Sequence, residues 1–170
     1  MKSATQSAEQ TLSSEDFDVS FPIGGIAKRS FDMASAALAL LIFSPIFLLI
    51  AALVKFSDPG PIFYGHRRVG HNGRYFHCLK FRTMAMNGDE MLRQYLAANP
   101  EAAEEWRATR KLKNDPRVTA VGAVLRKLSL DELPQLLNII RGEMSVVGPR
   151  PVVDEELSYY ESSAAYYLST

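Results

Sequence analysis

The stretch from Met33 to Val54, MASAALALLIFSPIFLLIAALV, is uncharged and mostly apolar throughout, and no other part of the chain has this pattern. As a helix rising about 1.5 Å per residue it reaches roughly 33 Å, enough for one bilayer crossing. Ser44-Pro45 interrupts it near the middle. Proline there removes the hydrogen bond to the Leu41 carbonyl, and the Ser44 hydroxyl is placed to donate to that oxygen or to a neighbour. Two arrangements satisfy the pattern: a kinked crossing, or two half-helices of roughly 17 Å that enter one leaflet and return. Lys28 and Arg29 precede the run, while Lys55, Arg67 and Arg68 follow it. Neither end therefore reads as extracellular, because cytoplasmic flanks carry the excess of Lys and Arg.

Upstream, Met1 to Ser20 is polar, rich in Ser, Glu and Asp, and has no long periodic apolar face, as expected of a loosely held tail. It is not a secretory signal, since the apolar run comes late and no small-residue cleavage site follows it. Phe21 to Gly25 is a turn-rich joint. The chain thus divides into a tail over 1–27, a membrane helix over 28–56 and a cytoplasmic domain over 57–170.

In that domain, Asp58-Pro59-Gly60-Pro61 is a stop and turn. Ile62 to Arg68 and Arg74 to Phe81 read as two strands joined across Gly70-His71-Asn72-Gly73, with Asn-Gly the hairpin signal. Asp89 to Ala98 and Pro100 to Leu112 are predicted helices, with Asn99 a suitable N-cap and Pro100 at the first position. Glu101, Glu104 and Glu105 begin the second of these, and Arg107, Arg110 and Lys111 end it, complementing the helix dipole. Asn114 to Arg117 is a loop. Further on, Leu133, Leu136, Leu137 and Ile140 recur at i, i+3, i+4 and i+7, a helical period. Two starts compete for that helix. Ser129 and Glu132 form a capping box that leaves Pro134 one turn inside. With Asp131 as N-cap, Pro134 falls in the first turn, where its missing N–H costs nothing, and this start is preferred. Asp154 to Tyr167 is a last helical candidate. No internal repeat is visible.

Acidic and basic residues balance at 19 each, so net charge calls for no nucleic-acid partner. The distribution is uneven: Lys55, Arg67, Arg68, Arg74, Lys80 and Arg82 are opposed only by Asp58. A basic block beside a membrane segment suits anionic lipid headgroups or phosphates. The single cysteine, Cys78, excludes an internal disulfide and a cysteine-based zinc site, and fits a reducing cytosol.

The candidate chemistry centres on the adjacent carboxylates Asp131 and Glu132, which lie between Arg126-Lys127 and the loop Gly148-Pro149-Arg150-Pro151. Acids at a helix start need no catalytic role. Two carboxylates among several arginines nevertheless suit a site that handles a divalent metal and phosphate groups, and a carboxylate can also be a nucleophile. Lys80 and Arg82 are one strand period apart and are expected to share a face. His66, His71 and His77 match no familiar metal-ligand spacing. Trp106 and Tyr95 read as core or interface anchors.

In order along the chain, KFRTM at Lys80–Met84, NDPRVTAVGAVLRK at Asn114–Lys127 and SLDELPQLLNIIRGEMSVVGPRP at Ser129–Pro151 resemble the bacterial sugar transferase family, the monotopic polyprenyl-phosphate phosphoglycosyl transferases. The resemblance runs from about Lys28 to the end of the chain. It implies an α+β fold: a small, mainly helical catalytic domain with a short β-hairpin, preceded by a re-entrant membrane helix broken at Ser44 and Pro45. It implies transfer of a sugar 1-phosphate, galactose 1-phosphate by closest likeness, from a UDP-sugar to undecaprenyl phosphate, with release of UMP. Glucose and N-acetylhexosamine stay open. Asp131 would be the nucleophile, Glu132 would assist, and both would ligate Mg²⁺. Arg126, Lys80 and Arg82 would contact phosphate, and Pro149, Arg150 and Pro151 the nucleotide end. The implied setting is the cytoplasmic face of the bacterial inner membrane, against inner-leaflet anionic lipids, and a homodimer is compatible with it. Family members continue some tens of residues beyond the point matching Thr170, so the resemblance implies weaker catalysis from a chain ending there. Two other classes remain: a non-catalytic membrane-anchored binding module, and a single-span subunit of a polysaccharide assembly complex.

Overall fold

The computed structural model describes residues 25–153 and Glu156. The tail over 1–20 and nearly all of the helical candidate after Pro151 lie outside the described residues.

Helix α1 runs from Gly25 to Ser57 as one element with Pro45 inside it. The Ser44 hydroxyl donates to the Leu41 carbonyl at 2.8 Å, the oxygen that Pro45 leaves without its helical N–H. Little of α1 is covered: 11% of its most apolar window is buried, and Leu41 is 72% exposed. A core helix of a water-soluble domain would bury such a surface, so this one needs another apolar medium.

Strands β1 (Phe63–Val69) and β2 (Tyr75–Phe81) pair antiparallel, within one residue of the predicted bounds at each end. The register sets Tyr64 opposite Lys80 and His66 opposite Cys78. The connection is a 3₁₀ turn at His71–Gly73, closed by Gly70 N–H donating to the Arg74 carbonyl at 2.9 Å. Helices α2 (Gly88–Ala98) and α3 (Pro100–Thr109) follow. Asn99 marks their boundary as predicted, but its side chain donates back to the Tyr95 carbonyl at 2.8 Å and caps no N–H of α3. Helix α3 ends three residues earlier than expected, because Arg110 turns left-handed at φ 55°.

Helix α4 (Ala120–Lys127) begins at Thr119, whose Oγ1 accepts from the Gly122 N–H at 2.9 Å. Its start lies against the chain leaving β2, with Thr119 N–H donating to the Thr83 carbonyl at 3.0 Å. The core gathers Ile50 and Val54 of α1, Phe81 of β2 and Leu125 of α4, with Phe47, Ile62, Leu130 and Leu133 packed around them. Phe47 and Phe63 flank Phe81 at ring-centroid distances of 4.9 and 5.5 Å. Each such large apolar side chain contributes on the order of 2 kcal/mol when fully buried.

Helix α5 (Gln135–Arg141) corrects the expected start. Ser129 is left-handed at φ 56°, and Leu130–Glu132 form a 3₁₀ turn, with Pro134 at the N-cap position of α5. Asp131 therefore caps nothing, and the Ser129–Glu132 capping box does not form either. The left-handed residue turns the chain so that successive i→i+3 bonds, such as Leu136 N–H to the Leu133 carbonyl at 3.1 Å, carry it into α5. The buried face also differs from the predicted apolar stripe, for Pro134, Asn138 and Ile139 are buried while Leu136, Leu137 and Ile140 are only partly covered.

Three carbonyls at the end of α5 find donors. Gly142, left-handed at φ 87°, lets its own N–H reach the Ile139 carbonyl and the Glu143 N–H reach the Asn138 carbonyl. The Arg29 guanidinium of α1 donates to the Ile139 and Ile140 carbonyls at 2.6 and 2.7 Å.

Candidate active site

The acidic turn is held by its neighbours in sequence. Leu130 and Leu133 pack against the core on either side of Asp131 and Glu132, so the two acids are fixed without needing a helix cap. Asp131 is 9% exposed. Lys80, at the end of β2, places its Nζ 2.6 Å from Glu132 Oε1 and 3.9 Å from Asp131 Oδ2. One ammonium thus offsets two adjacent carboxylates that would otherwise repel each other and any anionic ligand.

Arg126, in the last turn of α4, donates through Nε to Thr83 Oγ1 at 2.9 Å. Among the described residues its two terminal nitrogens carry no hydrogen bond, which leaves the face that a phosphate takes. Asp115, close enough to feel Arg126, is held below the ordinary aspartate pKa chiefly by hydrogen bonds from Arg117, whose Nη2 lies 2.7 Å from its carboxylate. The Arg117 guanidinium stands 5.0 Å from the centre of the Trp106 ring, so Trp106 belongs to this support.

Arg82 takes a different partner from Lys80. Strand β2 ends at Phe81, and Arg82 turns inward to Asp58, hydrogen-bonding its carbonyl and standing 3.5 Å from its carboxylate. Asp58 Oδ2 also accepts the Met86 N–H at 2.9 Å. Arg82 therefore ties the exit of α1 to the end of the hairpin. Much of the basic block is engaged in the same way. Arg67 lies over the Tyr75 ring at 3.7 Å, and Arg68 pairs with Glu156 at 3.2 Å.

Pro149, Arg150 and Pro151 run alongside the hairpin: the Pro151 carbonyl accepts from Arg68, and Val152 bridges to Val69. Arg150 is exposed, and its charge reaches Cys78. Burial pushes the Cys78 thiol up, so it stays protonated at neutral pH and is no rival nucleophile. Burial, then Arg68 and Lys80, push His66 down, which keeps it neutral there.

A cavity of about 390 Å³ opens where Ile26, Asp32, His71, Phe76, Pro149 and Pro151 meet. It lies at the Phe76 end of β2, roughly 13 Å along the strand from Lys80. Its acid Asp32 is already bound to Ser145 Oγ at 2.7 Å, the Val146 N–H at 3.1 Å and Lys28 Nζ at 3.5 Å. Asp131 and Glu132 do not line this cavity.

Sequence reasoning missed Arg29, Asp32, Thr83 and Asn138. Arg29 and Thr83 find their partners far along the chain, while Asp32 had one local sign, Lys28 four residues before it. Asn138 carried one too, as a lone amide inside the apolar run Leu136 to Ile140. It is 0% exposed and fully hydrogen-bonded.

This chain belongs to the bacterial sugar transferase family, whose profile matches residues 23–170. It is 69% identical over 169 residues to the exopolysaccharide production protein ExoY of Rhizobium meliloti, covering 99% of this chain and 75% of that protein. It is 51% identical over 141 residues to the undecaprenyl-phosphate galactose phosphotransferase of Salmonella typhimurium, covering 83% of this chain and 29% of that one. The undecaprenyl-phosphate glucose phosphotransferase of Komagataeibacter xylinus is 41% identical over 126 residues, 74% of this chain and 21% of its own length.

Proposed function

We propose that this protein moves a sugar 1-phosphate from a UDP-sugar to undecaprenyl phosphate at the cytoplasmic face of the inner membrane, as a membrane step of exopolysaccharide synthesis. The observation that carries this reading is the Asp131–Glu132 pair held against Lys80, on a body whose longest helix leaves its apolar side chains uncovered. Galactose is the proposed sugar because identity is higher to the galactose-named relative, 51%, than to the glucose-named one, 41%.

Asp131 attacks the sugar-bearing phosphorus. The bond from that phosphorus to the bridging oxygen breaks, and UMP leaves with that oxygen and its electron pair. A phosphate oxygen of the lipid then attacks the same phosphorus, releasing the Asp131 carboxylate and forming the lipid diphosphate sugar. Lys80 and Arg126 lower the charge repulsion between carboxylate and diphosphate, and Glu132 holds Lys80 in place. The two adjacent carboxylates suit Mg²⁺, which is commonly bound through one or two carboxylates, its own waters and substrate phosphates. Bound there, Mg²⁺ would neutralise diphosphate charge.

The re-entrant placement of α1 is part of the proposal. Arg29 grips the end of α5, and Val54, on the far side of Pro45, sits in the core with Phe81 and Leu125. Both ends of the helix touch one body, which supports a helix that enters and leaves the membrane on the same side.

The test is UMP release by purified protein given undecaprenyl phosphate and UDP-galactose, UDP-glucose or UDP-N-acetylgalactosamine in turn. UMP should appear fastest with UDP-galactose, and chelation of Mg²⁺ should abolish it. No UMP from any donor contradicts the transferase reading, and release that survives chelation contradicts the metal.

A further inference from the structure

We propose that Asn138 is the positioning residue that sets Lys80 against the two carboxylates. This rests on the reading of Asp131 as the reacting group. The hairpin has only two strands, so the outer edge of β2 presents backbone groups with no third strand to meet them. Asn138 fills that place. Its Oδ1 accepts the Leu79 N–H at 2.9 Å, and its Nδ2 donates to the His77 carbonyl at 2.8 Å. The side-chain amide thus stands in for the peptide of a neighbouring strand. The same Nδ2 donates to Glu143 Oε2 at 2.6 Å, and the Glu143 N–H returns to the Asn138 carbonyl at 3.0 Å.

The consequence follows from chain order. Leu79 directly precedes Lys80, and α5 directly follows the acidic turn. One buried amide therefore fixes where the Lys80 backbone lies relative to Asp131 and Glu132. Apolar contacts between β2 and α5 would tolerate sliding, whereas paired directional bonds to an N–H and a C=O two residues apart do not. A leucine at 138 could fill the space yet would leave the register free. Misplacement by about 1 Å at a reacting group can cost on the order of 100-fold in rate.

The test has two readouts. The first is the reactivity of Lys80 toward limiting acetic anhydride, measured by peptide mass. It needs no turnover, so it stands even if the transferase reading fails. In Asn138→Ser, Lys80 should acetylate several-fold faster, because it is no longer held on Glu132. The second is a double-mutant cycle on single-turnover UMP release. Asn138→Ser alone should slow release by roughly tenfold or more. In a Lys80→Met background it should cost less than about twofold, since the residue it positions is gone. Unchanged Lys80 reactivity, or losses that simply add in folded variants, would overturn the proposal. Should Asn138→Ser fail to fold, Asn138→Leu fills the space while removing both strand bonds. It is run through the same cycle and decided by the same outcomes.

Discussion

At Gly122 the start of α4 comes so close to Thr83 that an added Cβ would lie 2.2 Å from the carbonyl oxygen and 2.8 Å from its carbon. Backbone cannot yield there as a flexible side chain can. Gly122→Ala must therefore push α4 away from the chain that leaves β2, and the Arg126–Thr83 bond with it. The expected cost is about 1–3 kcal/mol of stability, read from denaturant unfolding, with a higher KM for the UDP-sugar. Gly88→Ala is the control, since its Cβ would meet only the Arg117 side chain at an ordinary 3.5 Å. Single residues were the least legible part of the sequence. The acids could be singled out as adjacent carboxylates among basic residues, and Lys80 as a cation one strand period from Arg82 in the KFRTM motif. Arg82 could not be read, because its partner Asp58 lies 24 positions away and strand alternation stops just before it.

Elements were read more faithfully, for their signals are local. The hairpin strands, the boundary at Asn99 and the Ser44–Leu41 bond all follow from side-chain alternation, proline chemistry or helical spacing. The start of α5 did not, because a left-handed Ser129 has no compositional mark and two cap signals overlapped a proline. For α1 the prediction concerns topology. Cysteines placed at Ser20 and Ser57, with Cys78 replaced by serine, should label alike with a membrane-impermeant thiol reagent in intact cells. Opposite labelling would establish a crossing helix. Pro45→Leu restores the helical bond to the Leu41 carbonyl, and should shift the population toward crossing and opposite labelling.

At the scale of the whole molecule, one face is apolar helix and the acidic turn sits beside the core that anchors that helix. Leu130 and Leu133 of the turn pack on the same cluster as Ile50 and Val54 of α1. A soluble nucleotide-sugar and a lipid phosphate at headgroup depth would both reach such a turn. The measurement that bears most directly on this account uses wild-type protein with UDP-galactose and Mg²⁺ but no polyprenyl phosphate. A sugar-phosphate mass adduct should appear on the peptide carrying Asp131, and undecaprenyl phosphate should discharge it. Asp131→Asn, similar in size and free of any capping duty to lose, should fold and form no adduct. An active enzyme that never carries the adduct, with kinetics that require both substrates bound together, would contradict the account.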